Sequence, residues 1–203
     1  FRGSLQLLAM RRFFAVNRDI FLRTLCLIGV TTFFTSTGAR QGDVILAVNT
    51  LLMQLFTLFS YIMDGFAYAG AALAGRYVGA CDLRRLRQAV RALFGWGVGL
   101  SLVFTVLYVL GGEGFLGLLT NDGNVIQTAS HYFYWVLAIP LAGFAAFLWD
   151  GILIGATATR YMLWAMLVAS GAFFIIYYAF SGATNNHMLW LSCLVYLALR
   201  GIM

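Results

Sequence analysis

The segment from Asn49 to Gly79, NTLLMQLFTLFSYIMDGFAYAGAALAGRYVG, decides how this chain folds. It is apolar over more than the roughly 20 residues that a helix needs to cross a membrane, yet Asp64 lies near its middle. A charged side chain that faces lipid is costly, so such an acid is expected to face a bundle interior or a wet cavity. The segment therefore predicts a membrane-spanning helix with one functional face.

The polar residues of this segment recur every three or four positions, which places them along one side of a helix. The stripe comprises Asn49, Met53, Thr57, Ser60, Asp64 and Tyr68, with Thr50, Gln54 and Tyr61 beside it. We expect the stripe to point inward. Six side chains are candidate substrate- or ion-binding groups: Asp64, Asn49, Gln54, Thr57, Tyr61 and Tyr68. Asp64 could instead brace a neighbouring backbone.

Small residues follow Asp64, and small residues let neighbouring helix backbones approach closely. They are Gly65, Ala67, Ala69, Gly70, Ala71, Ala72, Ala74 and Gly75. Helix packing is the interpretation we favour for them.

The composition excludes an ordinary soluble domain. Hydrophobic residues make up 62% of the 203, charged residues 10%, and the mean hydropathy is +0.88, so too little polar surface exists to cover a globule. The chain is therefore predicted to be an integral membrane protein in contact with lipid. Cys26, Cys81 and Cys193 are isolated from one another, which indicates neither a disulfide framework nor a metal site, and no cofactor is expected.

Six apolar stretches are long enough, or nearly so, to cross a membrane, and they predict an all-α polytopic fold with six transmembrane helices. They are Ile20 to Gly38, Val44 to Ala74, Ala89 to Leu110, Val125 to Ile154, Tyr161 to Phe180 and Met188 to Met203. We expect residues 1–19 to be a cytoplasmic lead-in and residues 20–203 to be the transmembrane lobe. The last stretch is short, so its helix is expected to continue beyond this sequence.

The arginines predict the orientation of the helices. The net charge of +6 comes from thirteen arginines against seven acids, and only Arg40 falls at the end of the bundle opposite the other twelve. We expect the protein to lie in the inner (plasma) membrane, and this asymmetry predicts that both ends of the chain face the cytoplasm. The outer loops are then residues 111–114, 121–124 and 181–186. The basic amphipathic segment Asp82 to Arg91 is expected to lie against anionic lipid rather than nucleic acid.

A second acid, Asp150, occurs in the fourth span, ten positions after the only proline, Pro140. A proline inside a span bends the helix where neighbours satisfy the freed carbonyl, which suits either a movable gate or a static packing kink. The tripeptide Met63–Gly65 is also echoed by Trp149–Gly151, and each copy is followed by small residues and an arginine. Internal symmetry of this kind points to transporters.

Several of these motifs, in this order, resemble the multidrug and toxic compound extrusion (MATE) transporters, and most closely their DinF-like branch. The resemblance runs from about Asn17 to Arg160. It rests on the following segments: Asn17-Arg18-Asp19-Ile20-Phe21-Leu22-Arg23-Thr24, Leu46-Ala47-Val48-Asn49, Met63-Asp64-Gly65-Phe66-Ala67, Gly75-Arg76-Tyr77-Val78-Gly79-Ala80, Trp149-Asp150-Gly151-Ile152 and Gly155-Ala156-Thr157-Ala158-Thr159-Arg160.

The resemblance implies one six-helix lobe, the C-terminal half, of a twelve-helix antiporter whose N-terminal lobe would be its partner. It implies export of amphipathic, often cationic, small organic compounds against an inward flow of protons or sodium. Asp150 matches a carboxylate implicated in cation binding in sodium-coupled members, which carry a glutamate on the first helix of this lobe where this sequence has Arg23 or a residue near it. Arg23 could pair with Asp19, one turn earlier, or line the mouth of the cavity.

Two other functions fit the sequence less well. A lipid-linked precursor flippase shares the two-lobe plan, but we expect it to line its cavity with several cationic groups for a pyrophosphate, and the spans contain few arginines. A membrane enzyme needs paired catalytic groups or a metal cluster. The only histidines, His131 and His187, lie near the outer ends of separate helices, so no enzyme is predicted.

Overall fold

The computed structural model describes residues 7–180 and 186–202, apart from the side chains of residues 7–9, 11, 12 and 113. This part of the chain is all helical, which confirms the predicted fold class. The helices are α1 (Leu7–Arg40), α2 (Asp43–Gly79), α3 (Leu83–Leu119), α4 (Gly123–Gly155), α5 (Thr159–Ala179) and α6 (Asn186–Ile202). All but α6 are long and apolar enough to span a membrane. Most of the expected outer loop at 181–186, like Arg2, lies outside the described residues.

Helices α1, α2, α4, α6 and α5 pack in that order into a ring, and α3 packs outside it against α2 and α4. The most extensive contact joins α2 to α4, and the least extensive contact within the ring joins α1 to α2. Large buried side chains such as Phe59, Phe173 and Trp190 fill the space between the helices. The ring is therefore closed firmly on most sides and weakly between α1 and α2.

Glycines bring α2 and α4 into backbone contact. A Cβ added at Gly151 would clash with the carbonyl oxygen of Ala67, and one at Gly155 would clash with that of Ala71. Gly75 lies on the same interface, with the carbonyl oxygen of Gly155 only 3.3 Å from the position of its missing Cβ. The prediction that the small residues of α2 serve close helix packing is confirmed at these contacts.

The ends of α2 and α4 share one design. After each helix a non-glycine residue adopts a left-handed conformation, Cys81 with φ 53° and Thr157 with φ 56°. The next N–H turns back into the helix, as when Asp82 donates to the carbonyl of Tyr77 at 3.0 Å, which is a Schellman ending. The helices that carry the two Asp-Gly motifs thus also end alike. The basic segment that begins at Asp82 is the start of α3, with the Asp82 carboxylate as its N-cap.

Residues 111–114 do not form the predicted outer loop. They lie within α3, whose backbone departs from helical geometry at Gly112 (φ 34°, ψ −121°) and then continues as helix to Leu119. Leu116 is fully buried in the core, and the ring of Phe115 lies against Gly111 and Tyr108. Burial of these apolar residues holds the last turns in a helix despite the turn-forming glycines, so the loop prediction is wrong here.

The polar stripe of α2 does not face the bundle interior as a whole, contrary to expectation. Asn49 is buried, Asp64 is half-buried, and Tyr61 and Tyr68 are 72% and 76% exposed. From Asn49 to Tyr68 the stripe makes about five and a quarter turns at 3.6 residues per turn. It therefore rotates by about a quarter turn around the helix, from the core to the open face.

Replacing Gly151 by Ala is expected to destabilise the protein by about 1–3 kcal/mol, because the added methyl group must push α4 away from the Ala67 backbone. Thermal unfolding in detergent measures the effect. The matched control is Gly65→Ala, since Gly65 has open space around it and Ala is the better helix former. Equal melting temperatures for the two variants would contradict the close contact of α2 with α4.

Candidate functional site

A cavity opens on the surface where α1 and α2 make their weak contact. Its volume is about 480 Å³, and α4 and α6 form its floor. Apolar groups make most of the wall, and four charged groups project into it. The charged residues are Arg23, Asp64, Asp150 and Arg200, and the apolar wall includes Leu27, Ile28, Phe56, Phe147 and Ile154. We refer to this space as the α1–α2 cavity.

Two arginines share one carboxylate at the floor of the α1–α2 cavity. Arg23 from α1 donates from Nη2 to Oδ2 of Asp150 in α4, and Arg200 from α6 donates from Nη2 to the same oxygen at 2.5 Å. The side chains of Arg23, Asp150 and Arg200 are only 18%, 16% and 6% exposed. This triad ties three helices together and carries one net positive charge.

Arg200 is fixed further by Tyr196, one turn earlier on α6. The guanidinium Nη1 donates to the Tyr196 hydroxyl at 3.5 Å, and its carbon lies 5.3 Å from the centre of the tyrosine ring. The Tyr196 hydroxyl in turn donates to the sulfur of Met166 at 3.0 Å. Arg200 therefore has little freedom to leave the floor of the cavity.

Arg23 does not pair with Asp19, so the structure selects the cavity-lining alternative. Asp19 is buried, forms an ion pair with Arg18 at 3.1 Å, and accepts a hydrogen bond from Thr159 Oγ1 at 3.2 Å. These contacts connect α1 to the start of α5. Because Asp19 has these partners, Arg23 pairs with Asp150 instead.

Asp64 behaves differently from Asp150. It lines the cavity from α2 and forms no hydrogen bond or ion pair with any residue that the structure describes. Arg23 and Asp150 are close enough to act on it electrostatically. Because it braces no described neighbour, Asp64 is the carboxylate that remains available to a proton or to a cationic group of a ligand.

The other candidate residues of α2 lie in three different places. Tyr68 lines the α1–α2 cavity. Gln54, Thr57 and Tyr61 instead line a separate groove of about 300 Å³ against the last turns of α3, which is mostly apolar. Asn49 lies in the core. The candidates that the structure brings together are therefore Asp64, Tyr68, Arg23 and Asp150.

Asn49 joins α2 to α6 through a reciprocal amide pair. Its Nδ2 donates to Oδ1 of Asn186 at 2.8 Å, and Nδ2 of Asn186 donates back to Oδ1 of Asn49 at 2.9 Å. Trp190 Nε1 donates to the same Asn49 oxygen at 2.9 Å. All three residues are buried, so the amide of Asn49 is occupied by its own protein.

Replacing Asn49 by Ala should lower the stability of the protein, because it leaves the amide of Asn186 and the indole N–H of Trp190 buried without their partner. Each unsatisfied group costs about 1–3 kcal/mol. Thermal unfolding in detergent measures the loss, and Asn17→Ala, which removes an exposed asparagine from α1, is the control. A normal melting temperature for Asn49→Ala would contradict the amide pair.

Replacing Asp150 by Asn should reduce the amount of folded protein, since the change leaves two poorly exposed guanidinium groups without a counter-charge. Removing one partner of a buried ion pair costs about 3–5 kcal/mol. Size-exclusion chromatography of the detergent-solubilised protein reports the folded fraction, with Asp64→Asn as the matched control. Full recovery of folded Asp150→Asn would show that the triad is not required for the fold.

The sequence pattern assigns no role to Arg200, although this residue lies within the sixth apolar stretch. An arginine inside an apolar span is costly unless it is paired, so this position was itself a signal. Its partner, Asp150, is on another helix and could not be assigned from spacing. The structure shows no group of three metal-ligating side chains among the residues it describes.

Comparison with known proteins gives one family. The model of the MatE family matches residues 20–181. DNA damage-inducible protein F of Escherichia coli (strain K12) is 41% identical over 192 residues, or 95% of this chain. Protein DETOXIFICATION 42 of Arabidopsis thaliana is 25% identical over 98% of the chain. "Probable multidrug resistance protein NorM" of Photorhabdus laumondii is 25% identical over 64%. The resemblance drawn from the sequence motifs is confirmed.

The chain spans about two fifths of the length of the first two of these relatives, 42% of the E. coli protein and 39% of the Arabidopsis protein. It spans 29% of the NorM protein.

Proposed function

Because the chain belongs to the MatE family, we propose that it forms one six-helix lobe of a secondary active efflux transporter. The protein as a whole exports amphipathic organic compounds that carry a cationic group, and an inward flow of ions drives the export. It is a transporter and not an enzyme. The observation that carries this proposal is the α1–α2 cavity, a mostly apolar space whose wall contains Asp64, which has no ion-pair partner among the described residues.

The open side of the lobe supports the proposal that a second lobe packs against it. The ring is weakest between α1 and α2, where the cavity meets the surface, and the exposed side of α2 there carries Tyr61 and Tyr68. A cavity with charged groups is not stable against lipid. A second, N-terminal lobe of the same transporter covers this face, and alternating access opens the space between the lobes to one side of the membrane and then to the other.

Asp64 suits the coupling step. A carboxylate that binds either a proton or the cationic group of a cargo molecule, and never both, links the two flows in opposite directions. Asp150 does not suit this role, because two guanidinium groups already neutralise it. The same two cations oppose the binding of sodium at Asp150. We therefore assign the coupling in this lobe to protons at Asp64.

The orientation follows from charge. Eleven of the described arginines lie toward the end of the bundle where α2 and α4 finish, whereas Arg40 lies at the opposite end. We propose from this asymmetry that both ends of this segment are cytoplasmic in the inner membrane. The arginines that begin α3 then meet the anionic lipid of the cytoplasmic leaflet.

The test is efflux of a cationic dye by the full-length protein in membrane vesicles, with a proton gradient and a sodium gradient imposed separately. The wild-type protein should export the dye under the proton gradient. Asp64→Asn should reach normal amounts of folded protein but export no more dye than empty vesicles, because Asn cannot exchange a proton. Asp43→Asn, which changes an acid at the far end of α2, is the control and should keep wild-type efflux.

Normal proton-driven efflux by Asp64→Asn would remove Asp64 from the coupling, and efflux under the sodium gradient alone would overturn the assignment to protons. The two arginines of the cavity are the one observation that favours a lipid-linked precursor flippase, whose cargo carries a pyrophosphate. If the vesicles export no dye under either gradient, a labelled lipid-linked precursor replaces the dye and tests that alternative.

A further inference from the structure

The Arg23–Asp150–Arg200 triad contains more hydrogen-bond donors than its one carboxylate oxygen can use. In a guanidinium group, Nε–H and one N–H of Nη2 point along the same edge, which is the edge that grips a carboxylate with two parallel bonds. Both arginines approach Asp150 with Nη2 and share Oδ2. The Nε atoms of Arg23 and Arg200 are buried and have no partner among the described residues.

An unpaired N–H in the interior is unfavourable, and the environment gives these two no other acceptor among the described residues. The charge of the triad also favours an added anion, since two guanidinium groups face one carboxylate. One further oxyanion at this position would bring the triad to neutrality and supply acceptors for the free donors.

The position of the triad decides where such an oxyanion comes from. Arg23, Asp150 and Arg200 all line the α1–α2 cavity, and Arg200 is 94% buried on its floor, so the cavity is the route by which an oxyanion reaches these arginines. Asp64 lines the same cavity from α2 and has no hydrogen-bond or ion-pair partner among the described residues. The cavity thus brings two arginines and an acid into one lining that also includes apolar side chains such as Phe56 and Phe147.

We infer that the cargo of this lobe carries an acidic group, a carboxylate, sulfonate or phosphate, that binds to Arg23 and Arg200 while its cationic group faces Asp64. This inference rests on the proposed function and specifies the cargo as zwitterionic amphipathic molecules. The acidic group replaces Asp150 as the partner of one guanidinium group, and Asp150 stays paired with the other. A purely cationic molecule gains nothing from the arginines and therefore binds more weakly, through Asp64 and the apolar wall alone.

The test compares two dyes that differ in one group, a rhodamine ethyl ester, which is a cation, and its free acid, which is a zwitterion. Fluorescence anisotropy measures the dissociation constant of each dye for the purified full-length transporter in detergent. The free acid should bind at least about tenfold more tightly than the ester, a difference of about 1.4 kcal/mol.

Substitutions in the triad should remove this preference. Arg200→Met and Arg23→Met should bring the ratio of the two dissociation constants close to one. Arg23→Lys should recover only part of the preference, because a lysine keeps the charge and loses the two-pronged edge. Arg160→Gln removes an exposed arginine at the start of α5, outside the cavity, and should keep the wild-type ratio. Size-exclusion chromatography identifies any variant that does not fold, and the more exposed Arg23 then carries the test.

The outcomes separate this inference from the proposed function. Equal binding of the two dyes, or tighter binding of the ester, together with dye export in vesicles, would overturn the acidic-cargo inference and leave the efflux function standing. A preference that survives in both Arg23→Met and Arg200→Met would overturn the assignment to these arginines. Absence of binding for both dyes, with no export in vesicles, would overturn the inference and the proposed function together.

Discussion

The ion pairing of Asp150 with Arg23 and Arg200 is the interaction on which the arrangement of α1, α4 and α6 depends. Three charged groups lie with little exposure in a protein that is otherwise apolar, and each would be costly there without the others. They bind helices that are far apart along the chain, since 127 residues separate Arg23 from Asp150. The same interaction gives the cavity its floor, so stability and the chemistry of the site have one origin.

A second constraint is the absence of side chains where α2 meets α4. Gly151 and Gly155 allow the α4 backbone to lie directly against the backbone of Ala67 and Ala71. Gly151 is also the residue after Asp150, and this contact therefore fixes the depth and rotation at which Asp150 faces the cavity. Asp64 lies one turn before Ala67 on the partner helix. The close contact holds the two acids on one cavity while leaving them in different environments, one paired and one free.

That difference in environment supports the proposed assignment of the coupling to Asp64. An acid neutralised by two guanidinium groups is a poor site for a proton or a metal cation, whereas an unpaired acid in the wall of an apolar cavity is a good one. The two Asp-Gly motifs look equivalent in the sequence, and both of their helices end with the same backbone motif. Their environments differ because Arg23 and Arg200 form ion pairs only with the aspartate of the second motif.

The sequence by itself determined the fold class, because continuous apolar stretches of about 20 residues cross a membrane as helices, which satisfy their backbone hydrogen bonds within the segment. It also indicated the family, through motifs from Asn17 to Arg160, and the packing role of the small residues in α2. Local patterns misled where packing overrode them: burial of Leu116 keeps residues 113–119 helical beyond Gly112, and the polar stripe of α2 rotates out of the core.

Only the tertiary structure decided which polar residues meet. Spacing along a helix assigned Asn49 and Asp64 to one stripe, yet Asn49 pairs with Asn186 in the core and Asp64 faces the cavity. Spacing also left Arg23 with Asp19 as its nearest possible partner. Its actual partner, Asp150, and the third member of the triad, Arg200, come from α4 and α6. Contacts of this kind depend on how separate helices pack against one another and not on the periodicity within any one helix.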